Sequence, residues 1–148
     1  MDLLRSLLAT GVIMDEPLVL SSGQAQTSVA THASTDIMDA GAANPYFGKS
    51  GRPWLSVVVQ TAIVGSTSAS TLQLKLQDAA DGSTWNTLYM TSAWADGSQI
   101  RFAAGEVQWN MQLPAKLRRY SRVAYVIGGA VLSAGAWDAY ITLTPARE

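Results

Sequence analysis

A chain of 148 residues is long enough for one buried core and short for two. Its residues are 48% hydrophobic but only 14% charged, against roughly 25% charged in ordinary soluble domains, so one copy alone leaves apolar surface uncovered and an oligomer or larger assembly is expected. A net charge of −1 excludes strong electrostatic attraction to nucleic acid or anionic membrane, and the lack of cysteine excludes disulfides, thiol catalysis and thiolate metal sites.

Leu3, Leu4, Leu7 and Leu8 open the chain at helical spacing, with Arg5 among them. Asp2 and Arg5 argue against a secretory signal, which needs a basic start and an unbroken apolar run. The run is also too short to cross a bilayer. Residues 1–17 are therefore expected to form an N-terminal arm or short helix that docks on a neighbour, and residues 18–148 a single β-sandwich domain.

The only histidine, His32, follows in "SVATHASTD" with Ser34, Asp36 and Asp39 close by. A Ser/His/Asp triad needs three groups converging from a rigid scaffold. Neighbours in an extended segment point alternately to opposite faces instead, so His32 reads as a surface or strand-edge residue. One histidine and no cysteine also exclude the usual zinc arrangements.

From Leu55 to Val64, "LSVVVQTAIV" is apolar at nearly every position, and "SRVAYVIGGAVL" (Ser121 to Leu132) is alike. Such strands are expected to be covered on both faces, within a sandwich or beneath a partner subunit. Elsewhere the period is two. Leu72, Leu74 and Leu76 alternate with Gln73, Lys75 and Gln77. Val107, Trp109, Met111 and Leu113 alternate with Glu106, Gln108, Asn110 and Gln112, and Trp137, Ala139, Ile141 and Leu143 with Asp138, Tyr140, Thr142 and Thr144. Strict alternation means strands with one dry and one wet face, the pattern of antiparallel sheets. Asp81-Gly82 and Asp96-Gly97 mark turns that tolerate positive φ, and "GSTSAS" (residues 65–70) reads as a soft connector. About eight or nine strands at short, regular spacing give an all-β fold, an antiparallel β-sandwich.

The polar residues offer little chemistry. "QDAADGSTWN" lacks the ordered acids of a calcium loop and reads as a hairpin turn. Two carboxylates suffice for glycoside hydrolysis, but nothing singles out a pair among Asp36, Asp39, Asp78, Asp81, Asp96, Glu106 and Asp138. No Gly-rich phosphate loop is present. Lys116, Arg118, Arg119 and Arg122 form the one basic cluster. Planar guanidinium groups there suit carboxylates across an interface better than a nucleic acid in a slightly acidic chain. Among the tryptophans, Trp109 and Trp137 read as core and Trp54 opens a strand. Trp85 and Trp94 follow turns, where an interface is favoured over a sugar platform.

Taken together, "LVLSSGQAQTSVATHASTDIMDAG", "GRPWLSVVVQTAI", "STLQLKLQDAADGSTW" and "LPAKLRRYSRVAYVIGGAVLSAGAWDAYIT" make the chain resemble the Bbp16-type capsid cement proteins of tailed bacteriophages over about Leu18 to Thr144. The resemblance implies a jelly-roll-like sandwich that forms homotrimers on the outer surface of the phage head. There it would clamp neighbouring major capsid subunits, without enzymatic activity or cofactor. The segment from Met1 to Glu16 is longer than the family leads one to expect. On this reading Asp36 to Trp54 is an adhesive loop and strand entry, in which Asp39, Lys49 and Arg52 are contacts rather than catalysts. The alternative is a virion module that binds carbohydrate or a receptor through Trp85 and Trp94, and a third is an acid-pair hydrolase.

Overall fold

The computed structural model describes residues 18–41, 53–95, 100–114 and 116–142. The expected N-terminal arm, Lys49, Arg52, the Asp96-Gly97 turn and Leu143 lie outside the described residues.

The described residues form eleven strands: β1 (Leu18–Ala25), β2 (Ala30–Ala33), β3 (Met38–Asp39), β4 (Trp54–Gly65), β5 (Thr71–Ala79), β6 (Asn86–Met90), β7 (Trp94–Ala95), β8 (Arg101–Phe102), β9 (Val107–Gln112), β10 (Tyr120–Gly128) and β11 (Leu132–Thr142). Three of these are two-residue fragments, β3, β7 and β8. The eight longer strands match the number read from the turn spacing.

Their pairing explains the fold. β1 pairs with β11, β2 with β10, β4 with β9, and β5 with β6, all antiparallel. Among the eight, first joins last, second joins seventh, third joins sixth and fourth joins fifth. This is one long antiparallel ribbon folded back on itself, the connectivity of a jelly roll. Additional pairing of β4 with β11 and of β5 with β10 closes two sheets, sheet A (β1-β11-β4 with β8 and β9) and sheet B (β2-β10-β5 with β6, and β3 and β7 at its margins). The fold is an all-β antiparallel sandwich, as the alternation implies. The apex of the ribbon is the Asp81-Gly82 turn, with Gly82 at φ 76°. The Asp81 carboxylate accepts from the backbone N–H of Thr84 (2.8 Å) and Ser83 (2.9 Å), an Asx-type turn of the sort its sequence predicts.

The core lies between the sheets. Leu72, Leu74 and Leu76 of β5 face Trp137, Ala139 and Ile141 of β11, all buried as predicted. Tyr125 of β10 stacks on Trp137 with ring centroids 4.6 Å apart. Both polar tips are satisfied, since Trp137 Nε1 donates to Gln108 Oε1 (2.7 Å) and Tyr125 Oη to Ser21 Oγ (2.9 Å). Burial pushes the Tyr125 phenol well above its ordinary pKa.

Two expectations are corrected, and a third, the covering of β4 and β10 on both faces, is met within this chain on the inner face alone. In β4 and β10 the inward residues (Leu55, Val57, Val59; Val123, Tyr125, Ile127) are buried, but outward Val58 and Val126 are only half-covered. A sandwich two layers thick covers one face of each sheet, and the other is left to solvent or a partner. In β9 every residue from Val107 to Met111 is half-buried rather than alternating. This strand lies at the margin of sheet A and its register shifts beside Val57 and Val58, so neither face is fully dry. The "GSTSAS" connector is pinned rather than soft. Ser66 and Ser70 both donate to the Val131 carbonyl, Ser70 is fully buried, and Gly129 (φ 71°) brings its Cα against the Ala69 carbonyl.

Candidate functional site

Outward positions of the two sheets differ in charge. β1, β4, β9 and β11 together carry a single charged residue, Asp138. Registers place Val19 beside Tyr140 and Tyr140 beside Ser56, with Asn110 beyond. In the next rows Asp138 lies beside Val58, and Thr142 beside Trp54. These side chains alternate with buried core residues, so they form one outer face. All are half-buried except Ser56, which is fully buried and donates to Asn110 Oδ1 (3.0 Å). The result is a flat, nearly uncharged surface carrying Trp54, Tyr140, Val19 and Val58. Charge depletion with aromatic enrichment is the compositional mark of an interface core.

Near its edge this face holds a pocket of about 250 Å³ lined by Val19, Ser21, Ser22, Asp138 and Tyr140. It is produced by β1, whose register against β11 shifts twice, between Val19 and Ser21 and between Ser21 and Gln24. Gly23, at φ 57°, turns its N–H onto Asp138 Oδ1 at 2.6 Å. Bulges of this kind re-aim side chains. Partial burial, and then the charge of Asp138, raise the Tyr140 phenol above its ordinary pKa.

Sheet B is different outside. Arg122 lies over the Trp85 ring at 4.2 Å and donates Nε–H to Gln77 Oε1 (2.9 Å). Burial lowers the Arg122 pKa. Arg119 grips Asp39 with two bonds, Nε to Oδ1 at 2.8 Å and Nη2 to Oδ2 at 3.1 Å. The Arg118 backbone N–H reaches Asp78 Oδ2 (3.1 Å), with Nε 4.0 Å from Oδ1. The Arg119 and Arg122 guanidinium groups are thus engaged within their own chain, while the Arg118 guanidinium and Lys116 stand exposed beside them.

The remaining site residues fall as follows. Asp36 is half-buried in the β2–β3 turn, where its N–H bonds the Leu20 carbonyl. Trp54 belongs to the uncharged face. Trp94 packs on the core margin, edge-to-face with Phe102 at 5.1 Å, and one face of Trp85 is covered by Arg122. The two rings therefore form no shared platform for a sugar. Asp78, one of the candidate acids, is buried on β5. His32 contacts Ser28 Oγ and carbonyl, while Ser34 donates to the Asp36 carbonyl, so the structure assembles no triad from them. Among the described residues no group of three or more His, Cys, Asp or Glu converges as a metal site. No helix among them is long and apolar enough to cross a membrane. Large exposed apolar side chains also occur at Val29 and Val131, at one end of the sandwich, and at Tyr89 and Met90 on β6.

Sequence reading missed the pocket. Asp138 alternates like any wet-face residue, and only its isolation among four uncharged strands could have marked it. Among curated proteins none matches this chain. The Bbp16 family model matches residues 20–141, from the third residue of β1 to the last but one of β11. The match spans both sheets and most of the sequence, and the chain belongs to the Bbp16 family.

Proposed function

We propose that this chain is a structural cement protein of a tailed bacteriophage, a homotrimer on the outer head surface that bridges neighbouring major capsid subunits. The observation that carries the reading is the outer face of sheet A, where β1, β4, β9 and β11 carry one charged residue among them and the two-residue β8 adds only Arg101. A surface so poor in charge gains by being covered. Cement needs adhesion rather than chemistry, and Asp39, Asp81, Arg119 and Arg122 are held in turns or side-chain pairs of the chain itself. Individual exposed ion pairs add about 0–1 kcal/mol. Threefold repetition makes such contacts strong through effective concentration.

Light scattering on the purified chain, followed by sedimentation with emptied phage heads, tests the proposal. The expected result is a threefold mass and co-sedimentation with heads. A monomer at high concentration that leaves heads bare contradicts it.

A further inference from the structure

We propose that the Asp138 pocket is a socket for one arginine side chain of a protein partner. Three observations lead there. First, Asp138 is the one charged residue of β1, β4, β9 and β11, with Arg101 on the two-residue β8 the only other charge among the described strands of sheet A. No Lys or Arg among the described residues pairs with Asp138. A carboxylate on a surface built to be covered is costly unless the partner supplies a cation. Second, the site is preorganised. Gly23 N–H fixes Oδ1 at 2.6 Å, and the double register shift of β1 opens the groove beside it. Third, the volume of about 250 Å³ is below the roughly 300–1,000 Å³ of small-molecule sites and suits one long side chain. Arginine fits better than lysine, because the Tyr140 ring offers a face for guanidinium stacking and the carboxylate a forked acceptor. The capsid shell as the source of that arginine rests on the function proposed above; the socket itself does not.

The test is an NMR titration of the full chain with N-acetyl-arginine methylamide, repeated with the neutral citrulline analogue and with Asp138→Asn. The asparagine carbonyl can still accept from Gly23, so the variant keeps the bulge. The expected result is a saturable shift of the Gly23 and Tyr140 amides with the arginine probe. Binding should be weaker by about tenfold, or about 1.4 kcal/mol, with citrulline or in the variant. No saturable shift, or equal shifts from citrulline, overturns the socket, and the citrulline comparison decides even if Asp138→Asn unfolds. On emptied heads, binding by the wild type and loss in Asp138→Asn assigns the arginine to the shell. Failure of the wild type to bind heads sinks the cement reading while leaving the socket to the titration.

Discussion

Asp81 holds the apex of the ribbon through bonds that are stronger to its ionised carboxylate. The N–H groups of Thr84 and then Ser83 lower its pKa to about 2. Its folded value lies below the ordinary carboxylate value, so its contribution to stability is complete above about pH 4. That contribution is lost as pH falls toward 2. Carbon-detected NMR should find the Asp81 carboxyl titrating near 2, and Asp81→Ala should weaken the pH dependence of unfolding in that window. Titration at the ordinary value would remove the turn from the account. Gly129 is the second sensitive residue. A Cβ there would lie 1.8 Å from the Ala69 carbonyl oxygen, at φ 71°. Backbone strain alone costs about 1–3 kcal/mol, and the clash adds to it. Urea unfolding of Gly129→Ala should show a loss of at least about 2 kcal/mol, and a loss under about 0.5 kcal/mol would refute the close approach. The Asp-Gly turn was legible because its geometry is local. The Gly129 contact was not, since the Ala69 carbonyl it meets lies some sixty residues away in sequence.

Between elements, one amide ties the sheets together. Gln24 on β1 accepts through Oε1 from Ser21 Oγ (2.6 Å), Thr35 N (2.9 Å) and Thr35 Oγ1 (3.1 Å), and donates Nε2–H to the Ala33 carbonyl (2.8 Å). With the buried Tyr125 hydroxyl bonded to Ser21, the network runs from β10 through β1 to the end of β2. Gln24→Ala strands these partners and should cost about 1–3 kcal/mol in chemical unfolding. Parity with wild type would show that solvent replaces the amide. The tryptophans separate by element as well. Trp94→Ala should cost about 2 kcal/mol, roughly half the value for a fully buried ring. Trp85→Ala should cost about 0.5–1 kcal/mol, the worth of an exposed cation–π pair. Equal losses in thermal or urea unfolding would contradict their different packing. Alternation predicted β5 and β11 correctly because each is central to its sheet. It failed on β9, where a sheet margin and a bulge break the pleat that period-two reading assumes.

For the whole molecule, periodicity gave the antiparallel class but could not order the strands. Pairing first with last joins Leu18 to Ile141, a contact no local pattern encodes. Length, alternation and turns thus fixed the layers, while connectivity needed the tertiary structure. Charge poverty was visible in the composition, but its concentration on sheet A was not, because Lys75 on β5 and Arg122 on β10 had to be placed on the other side first. That asymmetry is the basis of the adhesive surface. Val58 sits half-buried at its middle and Lys75 on the opposite sheet. The most direct measurement is occupancy of emptied heads by Val58→Arg and by Lys75→Glu, each with its unfolding midpoint. Val58→Arg should lose occupancy by more than about tenfold, because the long side chain stands over the face and occupies Asp138, its cross-strand neighbour, with Lys75→Glu unchanged and both folded. Undiminished occupancy for a folded Val58→Arg, or loss for Lys75→Glu alone, would place the adhesive surface elsewhere.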